Sequence, residues 1–319
     1  MDTILVLTED NYIEKMSNQL AMDISLNNSY EIFEVKTPNN KSILYPNTPT
    51  NLRLKLNYRF ISFGFQFSPD FLPGNGDENI KGETKSFEIG TSLIFKHWFV
   101  DASYSKVKGY YLYNSEDYGT LLPGDPYFQF PDLHYSGFKV ASGYLSNSKF
   151  SLRSLTIQTE RQLKSVGSFI PVFNLSFYTI DDKSDGTSTQ KSNNIETTVG
   201  PGYAYTFIVK ENFYMSLGLS GSIGYLNSKI TTRSVSESVL TKQDNFIFRW
   251  EGKVGMGYNG NRFYTGLYGN ISGTQYEQQN TSVMNFDNRV SYHLFFGMRF
   301  QPPDYLNRKV NKIEDKLNL

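Results

Sequence analysis

Apolar and polar side chains alternate with a period of two along most of this chain. From Phe213 to Tyr225 the odd positions are Phe213, Met215, Leu217, Leu219, Gly221, Ile223 and Tyr225, while Ser216, Gly218, Ser220 and Ser222 fill the even ones. From Phe246 to Tyr258 one face carries Phe246, Phe248, Trp250, Gly252, Val254, Met256 and Tyr258, and Arg249, Glu251 and Lys253 lie opposite. Phe87, Ile89, Thr91, Leu93 and Phe95 repeat the pattern. Successive side chains of a strand point to opposite faces, so each run predicts a strand with one apolar face. Several runs reach about a dozen residues, against about 5–6 for a strand of a soluble domain, and that length crosses a bilayer at a tilt.

The alternation predicts strands near 19–35, 50–59, 61–69, 84–95, 97–113, 134–145, 168–180, 195–208, 212–229, 243–258, 262–277 and 289–300. Their connections alternate short and long. The short ones are Arg59-Phe60, Lys96-His97, Lys210-Glu211-Asn212 and Asn259-Gly260-Asn261; the long ones lie near 36–49, 70–83, 114–133, 181–194, 230–242 and 278–288. Barrels of the outer membrane pair short periplasmic turns with longer extracellular loops, which places both termini in the periplasm. Residues 149–162 break the scheme. Read as a further strand, they would make the count odd and put the C-terminus outside the cell. Parity therefore predicts that 146–167 is a periplasmic insertion, a short helix or coil folded into the lumen. The expected organisation is a periplasmic segment 1–18, a transmembrane barrel 19–300 containing that insertion, and a solvated periplasmic tail 301–319. The expected fold class is all-β: a transmembrane antiparallel up-and-down β-barrel of about 12 strands.

Composition supports a wall between lipid and water. The 319 residues include 23 Tyr, 25 Phe and 25 Gly, no stretch approaches the roughly 20 apolar residues of a membrane helix, and mean hydropathy is −0.44. The balance of 31 basic against 31 acidic residues argues against a nucleic-acid partner. The lack of Cys excludes disulfides, thiolate metal sites and a lipidated Cys anchor. Met1-Asp2-Thr3 opens without a basic region and an apolar run behind it, which fits an export signal already removed and a start Met added. The last strand, Val290 to Phe300, ends on an aromatic as do clients of the barrel-assembly machinery, although Gln301 to Leu319 follow it.

Several stretches carry a family resemblance. They are Tyr45-Pro46-Asn47, Lys108-Gly109-Tyr110-Tyr111-Leu112, Pro131-Asp132-Leu133, Asn147-Ser148-Lys149-Phe150-Ser151-Leu152-Arg153, and Glu160 through Phe169. In order and spacing the chain resembles a family of outer-membrane barrels from Bacteroidetes known as a domain of unknown function. The resemblance implies a barrel in the outer membrane and no chemistry. Its most distinctive stretch coincides with the 146–167 insertion.

Candidate chemistry is sparse. The three histidines, His97, His134 and His293, fall on separate elements, so neither a shared metal site nor a cofactor is expected. Asp132 and His134 can share a strand face, but no triad converges on them. The charged residues Arg153, Glu160, Arg161 and Lys164 of the insertion, together with Arg249, Glu251 and Lys253, can meet in the lumen. There they form either a constriction that selects solutes by charge or a plug of ion pairs filling a narrow barrel. Trp98, Tyr110, Tyr111, Tyr113, Trp250 and Tyr258 are expected as interfacial girdles, with a carbohydrate platform at Tyr110 to Tyr127 as the sharper alternative. The functional expectation is a non-enzymatic barrel in contact with outer-membrane lipid and lipopolysaccharide, acting as a narrow solute channel or as a structural component of an envelope complex. The alternative is an outer-membrane enzyme acting on lipid or lipopolysaccharide.

Overall fold

A computed structural model describes residues 12–317 except 17, 59–60, 96 and 279–282. Most of the expected N-terminal segment, the turn at Arg59-Phe60 and Lys96 of the next turn lie outside the described residues. In chain order the strands are β1 (Ile13–Lys15), β2 (Leu20–Lys36), β3 (Lys41–Tyr45), β4 (Asn51–Tyr58), β5 (Ile61–Phe67) and β6 (Lys85–Ile94). There follow β7 (Trp98–Leu112), β8 (Gln129–Tyr144), β9 (Glu160–Gln162), β10 (Val166–Phe169), β11 (Val172–Asp182) and β12 (Ser188–Gly200). The last are β13 (Gly202–Val209), β14 (Phe213–Ser234), β15 (Ser238–Asn259), β16 (Phe263–Glu277) and β17 (Met284–Phe300). Three helices are short or terminal: α1 (Glu78–Lys81), α2 (Arg153–Thr156) and α3 (Asp304–Leu317).

Antiparallel ladders run from β14 through β15, β16, β17, β2, β3, β7, β8, β11 and β12 back to β14, so ten strands close a ring. β10 and β13 prolong β11 and β12 toward the short-turn end. The interruptions contain Pro171 and Pro201, whose rings supply no backbone N–H to a ladder. Every one of the twelve expected spans holds strand, yet the ring is not the expected ring of twelve. β3 is the reason. It pairs with the upper part of β2 and touches β7 through Leu44–Leu112 and Tyr45–Tyr111, closing the circle near the long loops. Below it, β4 and β5 hang from β2 and β6 hangs from β7, and among the described residues no ladder joins β5 to β6.

The two faces of the wall are reversed relative to a water-soluble barrel. Phe213, Met215, Leu217, Leu219, Ile223 and Tyr225 of β14 point outward and are exposed, while Tyr214, Ser216, Ser222 and Ser228 are buried inside. The same inversion runs around the ring, with Phe173, Phe177, Phe207, Phe248, Met256, Leu267 and Phe296 outside. On β14 the apolar face covers twelve steps of roughly 3.4 Å, or roughly 30 Å of height at a tilt of about 40°. Beyond Tyr225 the outward positions become Asn227, Lys229, Thr231 and Arg233. The strands therefore continue past the apolar belt. The expected long loops 181–194 and 230–242 are hairpins whose turns occupy only 183–187 and 235–237.

No described helix is long and apolar enough to cross a membrane. The tail expected to be solvated is mostly α3, with Arg308, Lys309 and Lys312 exposed. Leu306, Val310, Ile313 and Leu317 recur at helical spacing, Val310 is buried, and Asn307 accepts a hydrogen bond from the Tyr58 hydroxyl at the short-turn end of β4.

Candidate functional site

The barrel interior is divided by two apolar closures. At the short-turn end, residues 146–165 fold inward as a plug rather than a wall strand. Phe150 and Leu155 pack with Phe99, Leu145, Val166, Ile170 and Tyr214, so the plug grips the wall through side chains. The plug carries its own polar core. The Ser151 amide donates to Gln162 Oε1 (2.9 Å), and the Ser151 hydroxyl donates to Glu160 Oε2 (2.6 Å). β9 then pairs with β1, so the chain's start clamps the insertion.

Arg299, at the end of β17, ties plug to wall. Its guanidinium donates to the carbonyl of Gln158 (2.8 Å) and to Asn259 Oδ1 (2.7 Å), and it lies 4.6 Å from the centre of the Tyr264 ring. Gln158 adopts φ 57°, a left-handed turn that L residues take at some cost. Nearer the long loops, Phe33, Tyr110, Leu133, Tyr135, Tyr178, Leu226 and Ile247 fill the section of the barrel. The rings run across it as a chain, Tyr110–Phe33 at 5.6 Å, Phe33–Tyr135 at 5.9 Å and Tyr135–Tyr178 at 6.1 Å between centres.

Between the closures lies a cavity of about 710 Å³. Its charged lining is Arg53, Lys55, Asp101, Lys139, Arg249, Glu251, Lys253 and Arg289, and Thr156 and Ile157 of the plug form part of its boundary. Most of the cations have anionic neighbours. Lys139 pairs with Glu31, Arg249 faces Glu196 at 3.6 Å, Lys253 faces Glu251 at 3.3 Å, and Arg289 reaches Glu88 at 2.7 Å. Arg249 also donates to Thr274 (3.2 Å) and Ser272 (3.3 Å). Arg53 and Lys55, two inward positions on β4, have no ion pair among the described residues. Beyond the aromatic closure a second cavity of about 520 Å³, lined by Gln190, Tyr276, Gln278 and Asn285, opens among the long loops.

The structure separates the two charged groups that the sequence suggested could meet. Arg249, Glu251 and Lys253 line the central cavity. Arg153, Glu160, Arg161 and Lys164 stay on the plug near the short turns. Arg161 pairs with Glu14 and donates to Asn212 Oδ1 (2.8 Å); Arg153 faces Glu160 at 3.5 Å and donates to the Ile94 carbonyl. The Lys164 ammonium sits 5.1 Å from the centre of the Tyr12 ring. The apolar side chains of the plug, not its charged ones, enter the barrel, because they have wall partners there and the charges have β1 and the turns. Sequence reasoning missed Glu31, Lys139, Glu196, Arg289 and Arg299. All five are inward positions of strands, so parity alone could have marked them.

The girdle set divides. Trp98 is exposed at the short-turn end and Tyr258 packs edge-on to Phe213 there (5.1 Å), while Trp250 sits part-way up the belt. Tyr113 is exposed against Tyr45 (4.9 Å). Tyr110 and Tyr111 are buried, 2% and 6% exposed, and belong to no girdle or open carbohydrate platform. The β7–β8 ladder shifts register between Lys108 and Tyr110, where Gly109 takes φ 93°, so Tyr110 turns inward although Lys108 points out. The histidines are apart: His97 Nδ1 lies 2.9 Å from the Leu145 carbonyl, His293 packs on Phe295, and His134 faces lysines on the outer wall. Among the described residues no group of three or more His, Asp or Glu side chains could hold a metal ion.

A family model described as a domain of unknown function matches residues 2–300. No curated protein matches the chain. Among solved structures, the outer membrane protease OmpT from Escherichia coli is 9% identical, with 90% of this chain and 98% of that one covered and a TM-score of 0.44. Ail, the attachment invasion locus protein of Yersinia pestis, is 14% identical over 88% of this chain and 98% of its own, TM-score 0.20. OmpT of Vibrio cholerae, an outer membrane protein, is 8% identical over 92% and 100%, TM-score 0.27.

Proposed function

We propose that this chain, which belongs to the Domain of unknown function family DUF4421, is an outer-membrane β-barrel of a Gram-negative envelope that acts as a narrow, gated channel for small polar solutes. The observation that carries this reading is the charged cavity lying between an aromatic cluster and a plug, inside a wall whose outer face is apolar. An apolar belt of roughly 30 Å matches the hydrocarbon core of a bilayer and would be an aggregation surface in water. With the short turns and both chain ends in the periplasm, the plug closes the periplasmic mouth and the aromatic cluster closes the outer one. Charged side chains of both signs between them favour solutes that carry hydrogen-bonding groups. The plug is held by packing, by side-chain hydrogen bonds and by the short β1–β9 ladder rather than by a ladder to the wall. Its displacement therefore leaves the barrel intact, which is what a gate requires.

Two measurements test this. Extraction from membranes should need detergent, and release by salt alone would remove the membrane reading. In planar bilayers the wild-type protein should give rare, small conductance steps, and Phe150→Ala with Leu155→Ala should raise open events by at least about a hundred-fold, since each truncation weakens the plug by about 2 kcal/mol or more. A folded barrel silent in both forms would instead be a structural component of an envelope complex. The alternative of an enzyme acting on lipid or lipopolysaccharide finds little support around His134, because Asp132 is paired with Lys108 at 2.9 Å. Lipids incubated with the purified protein should return unchanged.

A further inference from the structure

We infer that the outer wall carries a docking site for the phosphate groups of a glycolipid of the outer leaflet, built around Lys106, Lys183 and Lys191. The inference rests on the outer-membrane placement proposed above. A groove of about 570 Å³ crosses β6, β7, β8, β11 and β12 where the apolar belt ends. Its lining includes Lys85, Lys106, Lys108, Lys183 and Lys191. The register sets these side chains in rows. Lys85 stands opposite Lys108, Lys108 opposite His134, His134 opposite Asp181, and Asp181 opposite Lys191. Two residues further toward the short turns, Phe87, Lys106, Ser136 and Thr179 form the next outward row. Two residues beyond that, Ile89, Tyr104, Phe138, Phe177 and Ile195 form an unbroken apolar row. Each pair of rows is separated by roughly 7 Å along the strand.

Like charges directly opposite one another, as Lys85 and Lys108 are, weaken a sheet. The acidic residues present relieve only part of this. Lys85 faces Glu83 at 3.4 Å, Lys108 faces Asp132 at 2.9 Å, and Asp181 is taken by Arg233 at 2.7 Å. Lys106 lies over the Tyr104 ring at 5.7 Å. Among the described residues Lys106, Lys183 and Lys191 have no ion pair. Phosphate groups seated between them would supply the missing anions through charge-assisted hydrogen bonds. The aromatic row directly beneath selects a membrane-anchored phosphate over a free one: acyl chains would lie on Phe138, Phe177 and Ile195 while the head group meets the lysines.

The full chain in detergent micelles would be titrated, with native mass spectrometry as readout, with bis-phosphorylated lipid A, its dephosphorylated form and inorganic phosphate. The wild type should bind the phosphorylated lipid at least about ten-fold more tightly than the dephosphorylated one, a comparison that needs no variant. K106Q/K183Q/K191Q, which breaks no ion pair of the described residues, should lose about ten-fold, whereas K309Q/K312Q on α3 should bind as wild type. Equal binding of the two lipids, full binding by the triple variant, or binding of inorganic phosphate as tight as that of the lipid would each overturn the site. Membrane placement is read separately by extraction, so a detergent-requiring protein that fails here refutes the lysine site alone.

Discussion

Gly109 shows how a single residue re-aims an element. Upstream of it, even positions of β7 such as Tyr104 and Lys106 face outward; immediately after it Tyr110 enters the core. A Cβ at Gly109 would collide with the carbonyl oxygen of Glu83, and its φ of 93° is unfavourable for any L side chain. Gly109→Ala should therefore cost about 2 kcal/mol, seen as a lower urea midpoint for the refolded barrel; an unchanged midpoint would mean that the register shift tolerates a Cβ. Asp77, in the loop before α1, makes a different single-residue contribution. Burial pulls its carboxyl up, but hydrogen bonds from Lys81 (2.6 Å) and Asn47 (2.8 Å), with the Lys81 charge, outweigh that and hold it below the ordinary 3.8. A group held low when folded stabilises fully above its unfolded value, and that contribution fades as pH falls through the lower folded one. Protection of the amides in residues 69–84 against exchange should fall as the pH drops below the ordinary carboxylate value, and Asp77→Asn should flatten that dependence.

At the level of elements, the plug and the wall are built from different interactions. Wall strands are held by continuous ladders, such as β14 with β15 from Phe213 to Arg233. The plug depends on Arg299, whose buried guanidinium joins Gln158, Asn259 and Gly260. Arg299→Ala leaves these acceptors unpaired and should cost the plug about 3 kcal/mol. Protease cleavage within 147–160 should quicken while the barrel keeps its heat-modifiable migration on gels. Loss of that migration would show instead that plug and wall fold as one unit. α3 is an element whose apolar spacing was visible in Leu306, Val310 and Ile313, but whose charges suggested a solvated tail. Its contact with Tyr58 exists only because β4 and β17 both pair with β2 and end at the same rim.

At the scale of the molecule, the outward belt and the filled interior divide the labour. The belt is indifferent to which apolar residue occupies a given place, and this is why period-two alternation was enough to reveal it. Strand spans, the short turns near Lys210-Glu211-Asn212 and Asn259-Gly260-Asn261, and the departure of 149–162 from the wall were legible, because each depends on local parity along a continuous strand. What the alternation determined is a wall with one apolar and one polar face. Tertiary structure decided the rest. It set ten strands in the ring through the β3 bridge, drew Tyr110 into the lumen, and kept Arg161 with Glu14 rather than near Glu251. These outcomes hang on contacts between residues far apart in the chain, and a period of two carries no information about which strand lies beside which.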